Sequence, residues 1–330
     1  MINFPKPPPL PSLKRATTPE KASKKHAWKY LGPEELLGLK NLYFAARVIV
    51  EGAYAGGHKS PYKGSAAEFV DYREYYPGDE IRSIDWKAYA RTDRYFVKLF
   101  EKETDMSTYL VLDRSASMGY GGKDYKQHFP TPEISKLEYA SYLTAALAYL
   151  LVKQGDRVGL TLFDKKITGH VPAGSSFTHL NAVLSLLERQ RAGRTTSISK
   201  TLRDAYALFK RRGMLIVISD FLDDPLEIFR ALDMYRHRNF EIILFHVIHR
   251  YEAKLPPLAN INFVDSENGE FLTTSPSDIA EQYERELQAF MDTLSSYAKA
   301  RNIDYHYVNT QTPHSVVLQR YLLRRGDGQR

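Results

Sequence analysis

From residue 107 onward the apolar positions follow two alternating rhythms. Short apolar runs at 108–112, 157–163, 214–219 and 241–248 read as strands, and the stretches between them repeat at three- and four-residue spacing. Leu137, Ala140, Leu143, Leu147 and Leu150 mark a helix that stops at Gly155. Leu180, Val183, Leu184 and Leu187 mark a second, and Leu202, Ala205, Tyr206 and Phe209 a third that stops at Gly213. Asp224-Pro225 pairs a cap residue with a first-turn proline and opens a helix carrying Ile228, Ala231, Leu232 and Tyr235 inward. Ser275-Pro276-Ser277-Asp278 starts a long helix with Leu287, Phe290, Met291 and Leu294 on its inner face, and 304–308 is a last strand. Residues 250–274 read as irregular. Strands alternating with helices of ten to fifteen residues predict an α/β domain: a doubly wound, mostly parallel, Rossmann-like sheet covered on both faces. It spans 106–312, with 313–330 as a C-terminal tail, and no internal repeat interrupts it.

Upstream the rhythm is different. Residues 31–105 are polar and aromatic, cut into short pieces by Gly52, Gly56, Gly57, Pro61, Gly64 and the Pro77-Gly78-Asp79 turn, with one strand at 95–100. They predict a small β-rich module.

Composition narrows the classes. With 330 residues, 43% apolar and 26% charged, the chain is long enough for a substantial core. It has no cysteine, which excludes disulfides, zinc–thiolate sites and thiol nucleophiles. The longest apolar stretch, within 142–152, falls short of the roughly 20 residues of a membrane span. The first residues have no apolar core like that of a secretory signal, so a cytoplasmic location is expected. The formal charge is +7, from 46 basic and 39 acidic residues. Seven of those basic residues lie in residues 1–30 against Glu20 alone, which leaves 39 basic and 38 acidic groups elsewhere. The excess therefore sits in a tail that also holds six of the 17 prolines. A disordered solubilising extension is expected there, and no specific nucleic-acid surface.

In parallel sheets ligands bind where strands end. Two of the strands end in an aspartate, Asp113 and Asp220. Asp113-Arg114-Ser115-Ala116-Ser117 alternates a carboxylate with two hydroxyls, so a tight loop turns three oxygens toward one point. The same pattern alone also suits an Asx-turn or a helix cap. Thr196 lies in a polar loop just before a helix. Together Asp113, Ser115, Ser117, Thr196 and Asp220 offer five hard oxygen ligands. These suit Mg²⁺, with Mn²⁺ or Ca²⁺ as alternatives, and leave a sixth position for water or a partner.

This set resembles the metal-ion-dependent adhesion site of von Willebrand factor type A domains, written Asp-x-Ser-x-Ser, a middle-loop threonine, and an aspartate after a later strand. Thr195 is the neighbouring candidate for the threonine, and Arg194 replaces the glycine usual before it. The run Glu68-Phe69-Val70-Asp71-Tyr72-Arg73-Glu74-Tyr75-Tyr76-Pro77-Gly78-Asp79-Glu80-Ile81-Arg82-Ser83-Ile84-Asp85-Trp86, followed by Ala90-Arg91, resembles the signature of the bacterial family called domain of unknown function 58. The resemblance spans roughly residues 42–308. It implies a von Willebrand factor A-like domain that works with a MoxR-type AAA ATPase in complex assembly or metal-enzyme maturation. Asp79, Arg82, Asp85 and Arg91 read as an ion-pair network around Trp86, and with Arg73 they are candidates for a partner-binding edge.

Enzymatic readings fit less well. A phosphoryl-accepting aspartate of the haloacid-dehalogenase type needs a second carboxylate where Ser115 stands. The Gly-x-Ser-x-Gly elbow fails because Ser115 occupies the first glycine position. No Gly-x-x-x-x-Gly-Lys-Ser/Thr occurs. His246 and His249, three apart on a strand, point to opposite faces and form no metal pair. The expectation is a non-enzymatic adaptor that binds its partner through the metal, with an acidic residue of that partner as the sixth ligand. A metal-dependent phosphoesterase or nuclease using the same ion is the alternative.

Overall fold

The structure is a computed structural model and describes residues 28–32, 36, 39, 68–74, 89, 96–101, 107–121, 134–193, 195, 197–256, 261–264 and 270–327. Two antiparallel strands come first, β1 (Glu68–Glu74) and β2 (Phe96–Glu101). Their register runs from Glu68 opposite Glu101 to Glu74 opposite Phe96, with an irregularity between Phe69 and Asp71. Both strands lie in the region expected to be β-rich, whose Pro77-Gly78-Asp79 segment is outside the described residues.

The central sheet has six strands: β3 (Ser107–Asp113), β4 (Arg157–Phe163), β5 (Ile167–Gly174), β6 (Gly213–Ser219), β7 (Glu241–Ile248) and β10 (Asp304–Asn309). Their order is β10-β7-β6-β3-β4-β5. All neighbours run parallel except β5, which turns back antiparallel along β4. The expected mostly parallel α/β architecture is what the chain adopts. A separate short hairpin joins β8 (Ile261–Val264) to β9 (Phe271–Thr274).

Seven helices among the described residues accompany the strands: α1 (Lys136–Lys153), α2 (Phe177–Arg189), α3 (Ile198–Ala205), α4 (Pro225–His237), α5 (Arg250–Ala253), α6 (Pro276–Ala300) and α7 (His314–Asp327). Local chemistry fixes several of their starts. Ser135 caps α1 by accepting a hydrogen bond from the Glu138 amide at 3.1 Å, and Ser176 does the same for α2 from His179. Asp224 caps α4 from Leu226 at 2.8 Å, with Pro225 in the first turn.

Because successive strand residues face opposite sides, β3 divides its side chains between two cores. Leu110 and Leu112 join Leu160, Ile216, Phe245 and the inner faces of α1 and α2. Tyr109 and Val111 join Leu215, Val217, Leu244 and the inner faces of α3 and α4. A strand buried on both faces needs a nearly continuous apolar run, and β3, β6 and β7 supply it.

Three sequence expectations need correction. The third helix stops at Ala205, not Phe209, and Tyr206–Leu208 form a turn. Residues 250–274 hold α5 and the β8–β9 hairpin. Residues 314–327, expected as tail, form α7, whose Leu318 and Tyr321 are buried in the α1 core. Among the described residues no helix is long and apolar enough to cross a membrane.

Candidate metal centre

Asp113 ends the central strand β3, and Asp220 follows β6, its direct neighbour. Both carboxylates are completely buried. A buried carboxylate is costly unless its oxygens are satisfied, and the loops supply that. Asp113 Oδ1 accepts the Ser115 amide at 2.8 Å, and Oδ2 accepts the Ser219 hydroxyl at 2.6 Å. Ser219 Oγ in turn accepts the Phe221 amide at 2.9 Å. That turn is bought with backbone strain: Phe221 adopts φ 53°, the left-handed region a β-carbon disfavours. Its ring is buried edge-on against His246 at 5.7 Å, which holds the residue there.

The Asp113 loop folds tightly. Ser117–Gly119 form one turn of 3-10 helix, and the Ser115 and Ser117 hydroxyls lie 3.1 Å apart. Adjacent ligands of an octahedral ion with metal–oxygen bonds of about 2.1 Å are separated by about 3 Å. The serine pair therefore has the spacing of two neighbouring coordination positions. Asp220 Oδ1 is buried and makes no hydrogen bond among the described residues. A buried carboxylate oxygen left unsatisfied beside a cluster of hydroxyls fits a cation. No group of three or more His, Asp or Glu among the described residues is arranged to hold a metal. The donor set is two carboxylates plus hydroxyls.

The third loop closes over the other two. Gly193 donates its amide to the Arg114 carbonyl at 2.5 Å, and a β-carbon at Gly193 would lie 2.5 Å from Asp164 Oδ2. The Ser199 amide reaches Asp223 Oδ2 at 3.3 Å, so the first turn of α3 also touches the loop after β6. Thr195 is half-buried between these anchors. Thr196 lies outside the described residues, as do Asp79, Arg82, Asp85 and Arg91. Arg73 sits in β1 opposite Val97. The structure thus brings Asp113, Ser115, Ser117 and Asp220 together at the end of β3 and β6.

It also brings in residues the sequence did not mark. Lys136, the first residue of α1, is wholly buried and donates to Asp220 Oδ2 at 2.8 Å and to Glu252 Oε1 at 2.6 Å. Glu252 Oε2 accepts the His249 amide at 2.8 Å in a capping box on α5. Nothing local in the sequence announces these partners, which lie 84 and 116 residues from Lys136. Ser219 was visible as the hydroxyl beside Asp220, but its role depends on β6 lying next to β3.

Electrostatics separates the two aspartates. Burial, reinforced by the Asp220 carboxylate, pushes Asp113 up to about 7 despite its hydrogen bonds from Ser219 and Ser115. Burial would raise Asp220 too, but the Lys136 ammonium outweighs it and holds Asp220 below the ordinary carboxylate range. The two carboxylates therefore differ: Asp220 is neutralised by a lysine, and Asp113 resists ionisation.

Several proteins are similar to this chain. An uncharacterized protein of Mycobacterium tuberculosis (strain H37Rv) is 27% identical over 240 residues, covering 72% of each chain. One of Mycobacterium bovis matches to the same extent. Among solved structures, the conserved hypothetical protein BatB of Bacteroides thetaiotaomicron has a TM-score of 0.44 at 17% identity, covering 67% of this chain and 99% of its own. The SpRpn10 VWA domain has a TM-score of 0.41 at 13% identity, covering 64% and 93%. The model of one family, described as protein of unknown function DUF58, matches residues 71–290, from β1 into α6 and across every loop of the site. With two thirds of its residues inside that match, the chain belongs to the DUF58 family.

Proposed function

We propose that this chain is a non-enzymatic interaction module of the von Willebrand factor A type that binds a protein partner through a divalent cation. The observation that carries the reading is the pairing of two hydroxyls 3.1 Å apart with two fully buried carboxylates, one bearing an unsatisfied oxygen, at the ends of adjacent parallel strands. Asp113, Ser115, Ser117 and Asp220 would hold the ion, with Thr196 completing the set. The hard oxygen donors favour Mg²⁺ and accept Mn²⁺ or Ca²⁺. Such an ion offers an open position to a carboxylate oxygen of the partner. The residues of this chain do the rest. Ser219 and the Ser115 amide orient Asp113, the Gly193 tether joins the third loop to the Asp113 loop, and the Ser199 amide joins α3 to the loop after β6.

Among the described residues no accessible general base stands beside these oxygens. His246 Nδ1 is engaged with the Tyr305 hydroxyl at 2.6 Å, His249 Nδ1 accepts the Tyr251 amide, and both rings are buried, so neither is open to a reacting group. This supports binding over turnover. The resemblance to the DUF58 signature supports a MoxR-type AAA ATPase in the cytoplasm as partner, with an acidic side chain as the donated ligand.

Affinity capture from the source cell tests the reading, with wild-type and Asp113→Ala bait, each in Mg²⁺ and in chelator. An AAA ATPase retained only by wild type with Mg²⁺ is the expected result. Identical captures in all four conditions would refute the metal-bridged interaction. Hydrolysis of generic phosphoesters that disappears in Asp113→Ala would refute the non-enzymatic assignment.

A further inference from the structure

Lys136 occupies a place where its own chemistry opposes it. It is the first residue of α1, at the helix end whose dipole favours anions, and its side chain has no exposure to water. Burial alone would push its proton off, yet Asp220 and Glu252 keep it firmly charged. Among the described residues, a lysine placed against both the helix dipole and desolvation is held by those two carboxylates.

The consequence for the site is direct. Asp220 spends Oδ2 on the ammonium, while Oδ1 remains buried without a hydrogen bond among the described residues. Any ion that binds through Asp220 must share that charge with Lys136. Glu252 accepts from the same ammonium, so it can take more of the lysine's charge as Asp220 gives some up. The bookkeeping balances: Asp113, Asp220 and Glu252 against Lys136 leave two negative charges, matching one divalent ion.

We propose that Lys136 is a resident competitor cation: it neutralises Asp220 in the metal-free protein and sets the divalent-ion affinity, while Glu252 takes up its charge when the ion binds. This rests on the cation-binding reading given above. Lys136 is a positioning residue and does not itself ligate the ion. A second tether runs the same way. The Lys136 amide donates to the Tyr120 carbonyl at 3.1 Å, and the Tyr120 ring packs edge-on against His249 at 5.2 Å. Loop and α5 thus meet at both ends of the lysine.

The test is Mn²⁺ binding to the full chain, followed by electron paramagnetic resonance, with melting temperatures recorded in chelator and in Mn²⁺. Wild type, Lys136→Met, Lys136→Arg, Glu252→Gln and Asp113→Ala are compared. Lys136→Met should bind Mn²⁺ about tenfold more tightly, since a neighbouring positive charge has gone. Its melting temperature should also rise more with Mn²⁺ than that of wild type. Lys136→Arg should return the affinity toward wild type, which a loss of packing would not explain. Glu252→Gln should weaken Mn²⁺ binding about fivefold, because the lysine then rests on Asp220 alone. Folded Lys136→Met that binds Mn²⁺ no better than wild type overturns the proposal. If Lys136→Met does not fold, unchanged or tighter binding by Glu252→Gln overturns it. If wild type binds no Mn²⁺ but Lys136→Met does, the competitor role holds; if neither binds Mn²⁺, the cation-site reading and the competitor role both fail.

Discussion

Asp113→Asn should make the metal-free protein more stable while removing its capacity for a divalent ion. Asparagine keeps the shape of Asp113, and its Oδ1 still accepts the Ser115 amide. What it removes is a buried charge next to Asp220. The folded-state pKa of Asp113 is pushed up to about 7 from 3.8. Between those values the folded state binds more protons than the unfolded state, so stability falls as pH rises through the interval and levels off above it. At about 1.4 kcal/mol per unit, the ionised carboxylate costs the metal-free protein about 4 kcal/mol at pH 8. Some of that gain is lost because the asparagine amide must re-pair with Ser219, which now has to accept instead of donate, at about 1–2 kcal/mol. The net expectation is a gain of about 2 kcal/mol, or a rise of about 4–8 °C in melting temperature for a domain of this size. Thermal and urea melts in chelator at pH 8 and pH 5 measure it. The difference should shrink at pH 5, where Asp113 is itself neutral. A variant less stable than wild type at pH 8 in chelator would refute the electrostatic argument.

Other consequences can be checked in parallel. Leu318→Ala should destabilise the domain by about 2–5 kcal/mol, since Leu318 is fully buried against the α1 core; urea denaturation that leaves the midpoint unchanged would return residues 314–327 to the status of a tail. Gly121→Ala should cost about 1–3 kcal/mol, because the residue sits at φ 85° and a β-carbon would lie 2.4 Å from His249 Nε2; calorimetry reads the drop. Burial pushes His246 down to about 4, so between that value and the ordinary 6.5 the unfolded state binds more protons and stability is lost as pH falls. That loss should approach about 3 kcal/mol by pH 4, and His246→Gln should flatten this part of the urea-midpoint profile.

Much of the fold was legible because β3, β6 and β7 are long apolar runs bounded by polar loops, and because Asp224-Pro225 puts a cap residue and a first-turn proline in the right place. The parts that were missed had weaker local signals. Strand β5 contains Gly169, Pro172 and Gly174 and is half-exposed at the sheet edge, where proline and glycine are tolerated and no apolar run is needed. The β8–β9 hairpin has only four residues a side. In α7 the helical spacing of Val317, Leu318, Tyr321 and Leu322 is present, but the arginines that follow give the segment the look of a charged tail. At the site, Asp113, Ser115, Ser117 and Asp220 could be read because each stands at the end of a recognisable strand. Lys136 and Glu252 could not, because their meaning comes only from contact with one another and with Asp220 across the fold.

The position of β3 also bears on how the molecule comes into being. It is the first strand of the large sheet to be synthesised, yet it lies in the middle, between β4 and β6. The hydrogen bond from Ser219 to Asp113 joins residues 106 positions apart. One edge of this apolar strand can be covered by β4 within about fifty residues, but the edge that takes β6 must wait while about a hundred further residues leave the ribosome. Such long-range pairing is slow and leaves sticky surface exposed in the meantime. The loops that carry the oxygens take their final shape only once β6 has docked. In the life of the chain the candidate site can take shape only after β6 has joined β3.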